Sequence, residues 1–251
     1  MTGILQAERL GVWFGRFEAV RNVSLSVQAG QIHSIIGPNG AGKTTLFNAL
    51  SGVIQPTTGR VLVDGIDVTR RPIHQRVHLG LARSFQITNL FWTRSVFDNM
   101  KLAVRASGGS VAFDMLGPES KDVAATAAAL CERIGFSARM ETVVDQLSHG
   151  EQRLLDVGLT LAAKPRLFLL DEPTSGMGVE DLPTMSKLIL SFKSAGFTVV
   201  VIEHNMNLVM GISDRITVLH QGAVLAEGSP QSISANPRVK DAYLGNPAPD
   251  A

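Results

Sequence analysis

Gly37-Pro38-Asn39-Gly40-Ala41-Gly42-Lys43-Thr44 fits the phosphate-loop pattern G-x-x-x-x-G-K-[ST] with no position missing. Its surroundings fit too. The apolar run Ile32 to Ile36 precedes it, and a helix-like run, Thr44-Thr45-Leu46-Phe47-Asn48-Ala49-Leu50, follows and ends before Gly52. A strand feeding a glycine-rich turn that opens a helix is the setting this pattern needs. Glycines let backbone N–H groups turn toward phosphate oxygens with no side chain in the way. The start of the helix adds partial positive charge. Lys43 can reach the β- and γ-phosphates, and the Thr44 hydroxyl can sit on Mg2+. The expected ligand is a nucleoside triphosphate, cradled from Gly37 through Thr45.

Working outward, a second element is Arg166-Leu167-Phe168-Leu169-Leu170-Asp171-Glu172, an apolar strand ending in two carboxylates. Carboxyl ends of strands face the ligand crevice in open α/β sheets. Asp171 is therefore expected to hold Mg2+, directly or through water. Glu172 is expected to polarise the water that attacks the γ-phosphorus.

Between and beyond these motifs the pattern alternates. Short strand-like runs at Ile4–Leu10, Val23–Val27 and Arg60–Val63 are separated by turn residues, including Asp64-Gly65. The middle reads as helical: a run from Ser95 to about Ala106, broken by Gly108-Gly109, and another from about Glu119 to Arg133. A helix over about Gly150–Ala163, a strand at Leu167–Leu170, a helix over Leu182–Ser194 and strands at Thr198–Glu203 and Arg215–Leu219 follow. Strands alternating with helices imply a mainly parallel sheet covered on both faces. The tail after Leu244, with Pro247 and Pro249, is expected to fray.

Bulk properties narrow the class. The chain has 251 residues, 45% hydrophobic and 18% charged, enough for one large α/β domain. A net charge of +1 argues against electrostatic binding of nucleic acid. Cys131 stands alone, so no internal disulfide can form, which suits a reducing compartment. Glu8 and Arg9 interrupt the N-terminus before any secretory core, and no apolar run approaches the ~20 residues of a membrane span. Contact with a membrane is expected only through a partner.

Leu147-Ser148-His149-Gly150-Glu151-Gln152, shortly before the Asp171 strand, is where the sequence resembles the ATP-binding cassette (ABC) ATPases, whose signature is Leu-Ser-Gly-Gly-Gln. The resemblance covers essentially the whole chain. It includes Phe14-Gly15, Gln86 after Ser84-Phe85, Pro173-Thr174-Ser175-Gly176 after the two acids, and His204 after a strand. It implies an α/β P-loop fold with a mainly parallel core sheet, an antiparallel β subdomain and an α-helical subdomain (roughly 88–160) inserted in one nucleotide-binding domain, 1–251. It also implies Mg2+-dependent ATP hydrolysis. Phe14 would stack on adenine, with Trp13 the alternative. Gln86 would touch Mg2+ or the attacking water and sense the membrane partner. His204 would contact the γ-phosphate and orient Glu172. Ser148, Gly150 and Glu151 would bind ATP held by a second cassette, so that hydrolysis needs a head-to-tail pair.

The sequence departs from that pattern at two places. His149 replaces the first signature glycine, where any special backbone angle becomes harder with a Cβ. Gly178 stands where the family has an aspartate that bridges to the partner, with Glu180 or Asp181 as candidate substitutes. A finer similarity, Ala82-Arg83-Ser84-Phe85-Gln86 through Phe91, then Ser95–Met100 and the Ala235–Gly245 ending, is to ATPases of branched-chain amino-acid uptake. Importers of urea and amides are the alternative, and a soluble ABC ATPase acting on nucleic acid or ribosomes is a more distant one. The expected partners are two transmembrane permease subunits, a second cassette of the same or a sibling chain and, indirectly, a periplasmic solute-binding protein. The expected location is the cytoplasmic face of the inner membrane. Phe91 and Trp92 are candidates for the groove that receives a permease helix.

Overall fold

The computed structural model describes residues 3–84, 90–107 and 121–244. The Gly108-Gly109 break, Gln86 and the tail after Leu244 lie outside them.

The N-terminal part is an antiparallel sheet of four strands in the order β2 (Phe17–Val27), β1 (Leu5–Phe14), β4 (Thr58–Val63), β5 (Ile66–Asp67). β1 runs past Gly11, where the sequence pattern stops, because register shifts between Ala7 and Trp13 absorb the irregular alternation. Asp64 and Gly65 both take positive φ, 51 and 77, which makes the two-residue turn joining β4 to β5.

The second sheet has six strands in the order β10 (Ala223–Gly228), β9 (Arg215–His220), β3 (Ile32–Ile36), β8 (Thr198–Ile202), β7 (Leu167–Asp171), β6 (Leu81–Arg83). All neighbours are parallel except the β9–β10 hairpin. β3, β7 and β8 are buried at every residue, as strands covered on both faces must be. β3 lies beside β8 and β8 beside β7, so Gly37, Glu203-His204 and Glu172 all emerge at one edge of the sheet.

Helix α1 (Lys43–Ser51) lies between the two sheets, with Leu46, Phe47 and Leu50 buried among β1, β2 and β7 residues. Its last carbonyls are satisfied by the fully buried Arg76 of α2 (Ile73–Val77), which donates Nη1 to Ala49 O and Leu50 O. On the other face α3 (Val96–Ser107), α4 (Lys121–Arg133) and α5 (His149–Leu159) share a core that includes Val96, Met100, Ala127, Cys131 and Leu155. That core continues onto the sheet through Phe168, which stacks on Phe192 of α6 (Leu182–Ser194) at 4.7 Å between ring centroids. Helices α7 (Met206–Ile212), α8 (Pro230–Ser234) and α9 (Pro237–Leu244) complete the chain.

His33 on β3 is fully buried, with Nε2 2.8 Å from Thr217 Oγ1. Burial lowers its pKa from 6.5 to about 4, with Glu227 opposing the shift and Arg215 assisting it. The unfolded chain takes up this proton near pH 6.5 and the folded chain only near pH 4. This contribution is therefore intact above pH 6.5 and is lost as pH falls through that window, by roughly 1.4 kcal/mol per unit. We expect urea unfolding of the wild type to weaken by about 2 kcal/mol more than that of His33→Gln between pH 7 and pH 5. Parallel pH profiles for the two proteins would refute the assignment.

Candidate functional site

The phosphate loop is shaped by close backbone approaches. Gly42 caps α1 with φ 93, and a Cβ there would run into the Ala19 carbonyl of β2. Gly37 lies so near the Leu219 carbonyl of β9 that a Cβ could not be placed. The loop is tied further by Gly222 N donating to Ala41 O at 3.1 Å and Arg21 N to Gly222 O at 2.7 Å. Tyr243 of α9 sets its hydroxyl against the Gly37 backbone, and burial raises its pKa to about 12.

A cavity of about 310 Å3 opens above the loop, lined by Asn39 through Thr45, Phe17 and Ala19 of β2, and Glu172. Lys43, 8% exposed, donates Nζ to Gly37 O at 2.7 Å and Pro38 O at 3.1 Å. Burial lowers its pKa, while the Glu172 carboxylate acts in the opposite direction. A cation, a row of backbone amides at a helix start and a carboxylate share one pocket. That is the equipment to bind a polyphosphate and deprotonate water beside it.

Glu172 has φ 45, left-handed for a residue with a Cβ. Such a conformation costs about 1–3 kcal/mol and persists where neighbours over-determine it. Its N–H donates to Ile202 O at 2.9 Å. The fully buried Glu203 fastens the next loop: Oε1 accepts from Thr174 N and Oγ1 at 2.9 and 2.5 Å, and Oε2 from His204 N and Asn205 N at 3.0 and 3.2 Å. His204 itself is exposed, its Nδ1 4.0 Å from Glu203 Oε2.

Asp171 is buried, and its Oδ2 pairs with Arg83 Nη2 at 2.8 Å. Arg83 also donates Nη1 to Asn48 Oδ1 and Ser51 Oγ and lies over the Phe47 ring. Arg83, at the end of β6, thereby ties Asp171 to Asn48 and Ser51 of α1. Oxygen donors at Thr44 and Asp171 suit a hard cation that keeps water and phosphate as its other ligands. Among the described residues no cluster of three or more His, Cys, Asp or Glu side chains could hold a metal without such help.

The signature residues lie elsewhere. Ser148 caps α5: its Oγ accepts from Glu151 N, and the Glu151 carboxylate accepts from Ser148 N and pairs with Arg139. Glu151, expected at the nucleotide, is thus engaged within its own chain. His149 is the first helical residue and does not have positive φ, so its Cβ carries no backbone cost. The Asp181 carboxylate fills the space a Cβ on Gly150 would need, and the Glu180 carboxylate folds over Gly178. Ser148 and His149 are exposed, and neither lines the phosphate pocket of this chain.

Phe17 was not singled out from sequence, yet it is 63% exposed and lines the cavity, whereas Phe14, its cross-strand partner, does not. Trp13 is likewise on the exposed end of this hairpin and not in the lining. Phe17 stands on β2, the strand that also supplies Ala19 to the cavity.

Together the fold and the pocket define a phosphate-loop nucleoside triphosphatase with helices inserted, in chain order, between the loop and the acidic strand. The family model described as ABC transporter matches residues 20–175, and one described as branched-chain amino acid ATP-binding cassette transporter matches 223–249. The chain belongs to the ABC transporter family as an ATP-binding subunit, and binding and hydrolysis of ATP are the family's activity. The high-affinity branched-chain amino acid transport ATP-binding protein BraF of Pseudomonas aeruginosa is 36% identical over 249 residues, covering 96% of this chain and 98% of that protein. Its counterpart LivG of Escherichia coli is 37% identical over 252 residues, with the same coverage. A crystal structure of the ADP conformation of an ABC transporter cassette superposes with a TM-score of 0.87 at 28% identity, covering 98% of this chain and 100% of that one.

Proposed function

We propose that this chain is the Mg2+-dependent ATPase subunit of a branched-chain amino-acid importer, working as one half of a head-to-tail pair of cassettes. One observation carries the pairing. The chain holds a phosphate pocket with Glu172 and an exposed, capped helix start at Ser148, and the second does not line the first. A helix N-terminus suits an anion, and a second cassette supplies one as the γ-phosphate of its ATP. The similarity to BraF and LivG, both branched-chain amino acid transport ATP-binding proteins, and the C-terminal match support the solute class.

In this reading Lys43 and the loop amides bind the β- and γ-phosphates, Phe17 or Phe14 packs on adenine, and Glu172 takes a proton from the attacking water. His204 holds the γ-phosphate side. Thr44 and Asp171, with Gln86 as the sequence suggests, would hold Mg2+, which would neutralise charge on the phosphates. Helices α3, α4 and α5 belong to the helical subdomain in this reading. The exposed Phe91 and Trp92 lie near the cleft lined by Arg94, Lys101 and Arg105, which suits docking of a permease segment at the inner membrane. No described helix is long and apolar enough to cross a membrane.

Deleting the gene in its host and measuring uptake of labelled leucine, isoleucine and valine tests the solute class. We expect uptake to be lost and to return with the wild-type gene but not with Glu172→Gln. Normal uptake of all three, with urea or amide uptake lost, would favour the other importer class.

A further inference from the structure

Arg153 carries no motif, yet it is 4% exposed and grips the loop that bears Glu172. It stands on α5, the helix that Ser148 caps. Its Nη2 donates to the carbonyls of Asp171 at 2.8 Å and Glu172 at 3.0 Å, and its Nε to Pro173 O at 3.2 Å. Its Nη1 pairs with Asp156 Oδ2 at 3.2 Å on the same helix. Three consecutive carbonyls thus meet one guanidinium. Across the loop, Glu203 accepts the amides of Thr174, His204 and Asn205.

This arrangement explains the left-handed Glu172. A relaxed extended backbone would point the three carbonyls in alternating directions. Turning Glu172 to φ 45 lets the carbonyls converge on one planar cation while the side chain faces the phosphate loop. Only a rigid fork with several donors fits such a cluster; an ammonium is a single compact point charge.

We propose that Arg153 is a positioning residue that fixes the backbone of Glu172 and so ties the aim of that carboxylate to the placement of helix α5. The proposal rests on Glu172 being the proton acceptor. Its consequence is directional: when the start of α5 engages an anion outside this chain, Arg153 carries the displacement to the same chain's own pocket. Nothing in it requires Arg153 to touch nucleotide.

The test uses the full chain with Arg153→Met, Arg153→Lys and Glu172→Gln, reading Mg·ATP affinity by a fluorescent ATP analogue and steady-state kcat and KM. A misplacement of about 1 Å costs roughly 100-fold. Arg153→Met should therefore lose kcat by about that factor, with affinity within about threefold of wild type, and Arg153→Lys should fall between. Combined with Glu172→Gln, Arg153→Met should cause no further loss, since nothing remains to be aimed. A kcat for Arg153→Met near wild type, or losses that multiply in the double variant, would overturn the proposal. If Arg153→Met does not fold, Arg153→Lys decides: reduced kcat at unchanged affinity supports it, and wild-type kcat overturns it. Turnover retained by Glu172→Gln alone would instead remove the reading of Glu172 beneath it.

Discussion

Replacing Glu172 with Gln is expected to lower ATP turnover by about 10²–10⁴-fold, the usual contribution of a general base. The carboxylate lies in the pocket lined by Asn39 through Thr45, and its charge is felt by Lys43. Glutamine keeps the shape and can still hydrogen-bond water, but it cannot take the proton. Binding should survive, because the amides and Lys43 that meet phosphate are untouched. Triphosphate then stays in place, and the variant should accumulate as a dimer at saturating Mg·ATP. Turnover by phosphate release and mass by light scattering check the two halves separately. Turnover within tenfold of wild type would remove Glu172 as the base. A monomer under saturating nucleotide would leave the base intact but contradict the head-to-tail pair.

The parts of this site that could be read from sequence are those whose chemistry is contiguous. The phosphate loop is eight adjacent residues, and β3 and β7 are short runs buried at every position, apolar throughout in β7 up to Asp171 and interrupted only by His33 and Ser34 in β3. Helix α6 and strand β8 were bounded almost to the residue by Gly196 and Glu203. What stayed hidden depends on partners far apart in the chain. Arg83 reads as an ordinary arginine until β6 pairs with β7 and brings it to Asp171. Arg153 reads as a polar residue on an amphipathic helix. Phe17 was overshadowed by Trp13 and Phe14, because only the hairpin's register shows which ring borders the cavity.

Short elements were missed for a different reason. β6 has three residues and α2 has five, too few for any period to register. β10 is half-buried along its whole length, so it shows no alternation of apolar and polar positions. The doubt about His149 was also resolvable only in three dimensions. The sequence suggested a special backbone angle, whereas the residue simply begins a helix. At Gly150, by contrast, an added Cβ would displace the Asp181 carboxylate at the cap of α6.

Lys43→Ala should reduce both binding and turnover, and it separates phosphate recognition from fold. Nζ bonds the carbonyls of Gly37 and Pro38, which holds the ammonium at the pocket. Its pKa is lowered by burial, with Glu172 working against the shift. Phosphate oxygens offer it stronger, charge-assisted partners than neutral carbonyls do. Hydrogen bonds to charged groups are worth about 1.5–3 kcal/mol, so ATP affinity should weaken by roughly 10–100-fold. The same cation faces charge that develops during transfer, and loss of one such donor costs about 10²–10³ in kcat. Stability should move little, within about 1 kcal/mol, since alanine is the best helix former at the start of α1 and Leu46, Phe47 and Leu50 keep that helix buried. Isothermal titration, single-turnover hydrolysis and thermal melting give the three numbers. ATP bound within threefold of wild-type affinity by a folded Lys43→Ala protein would show that this loop does not grip the triphosphate.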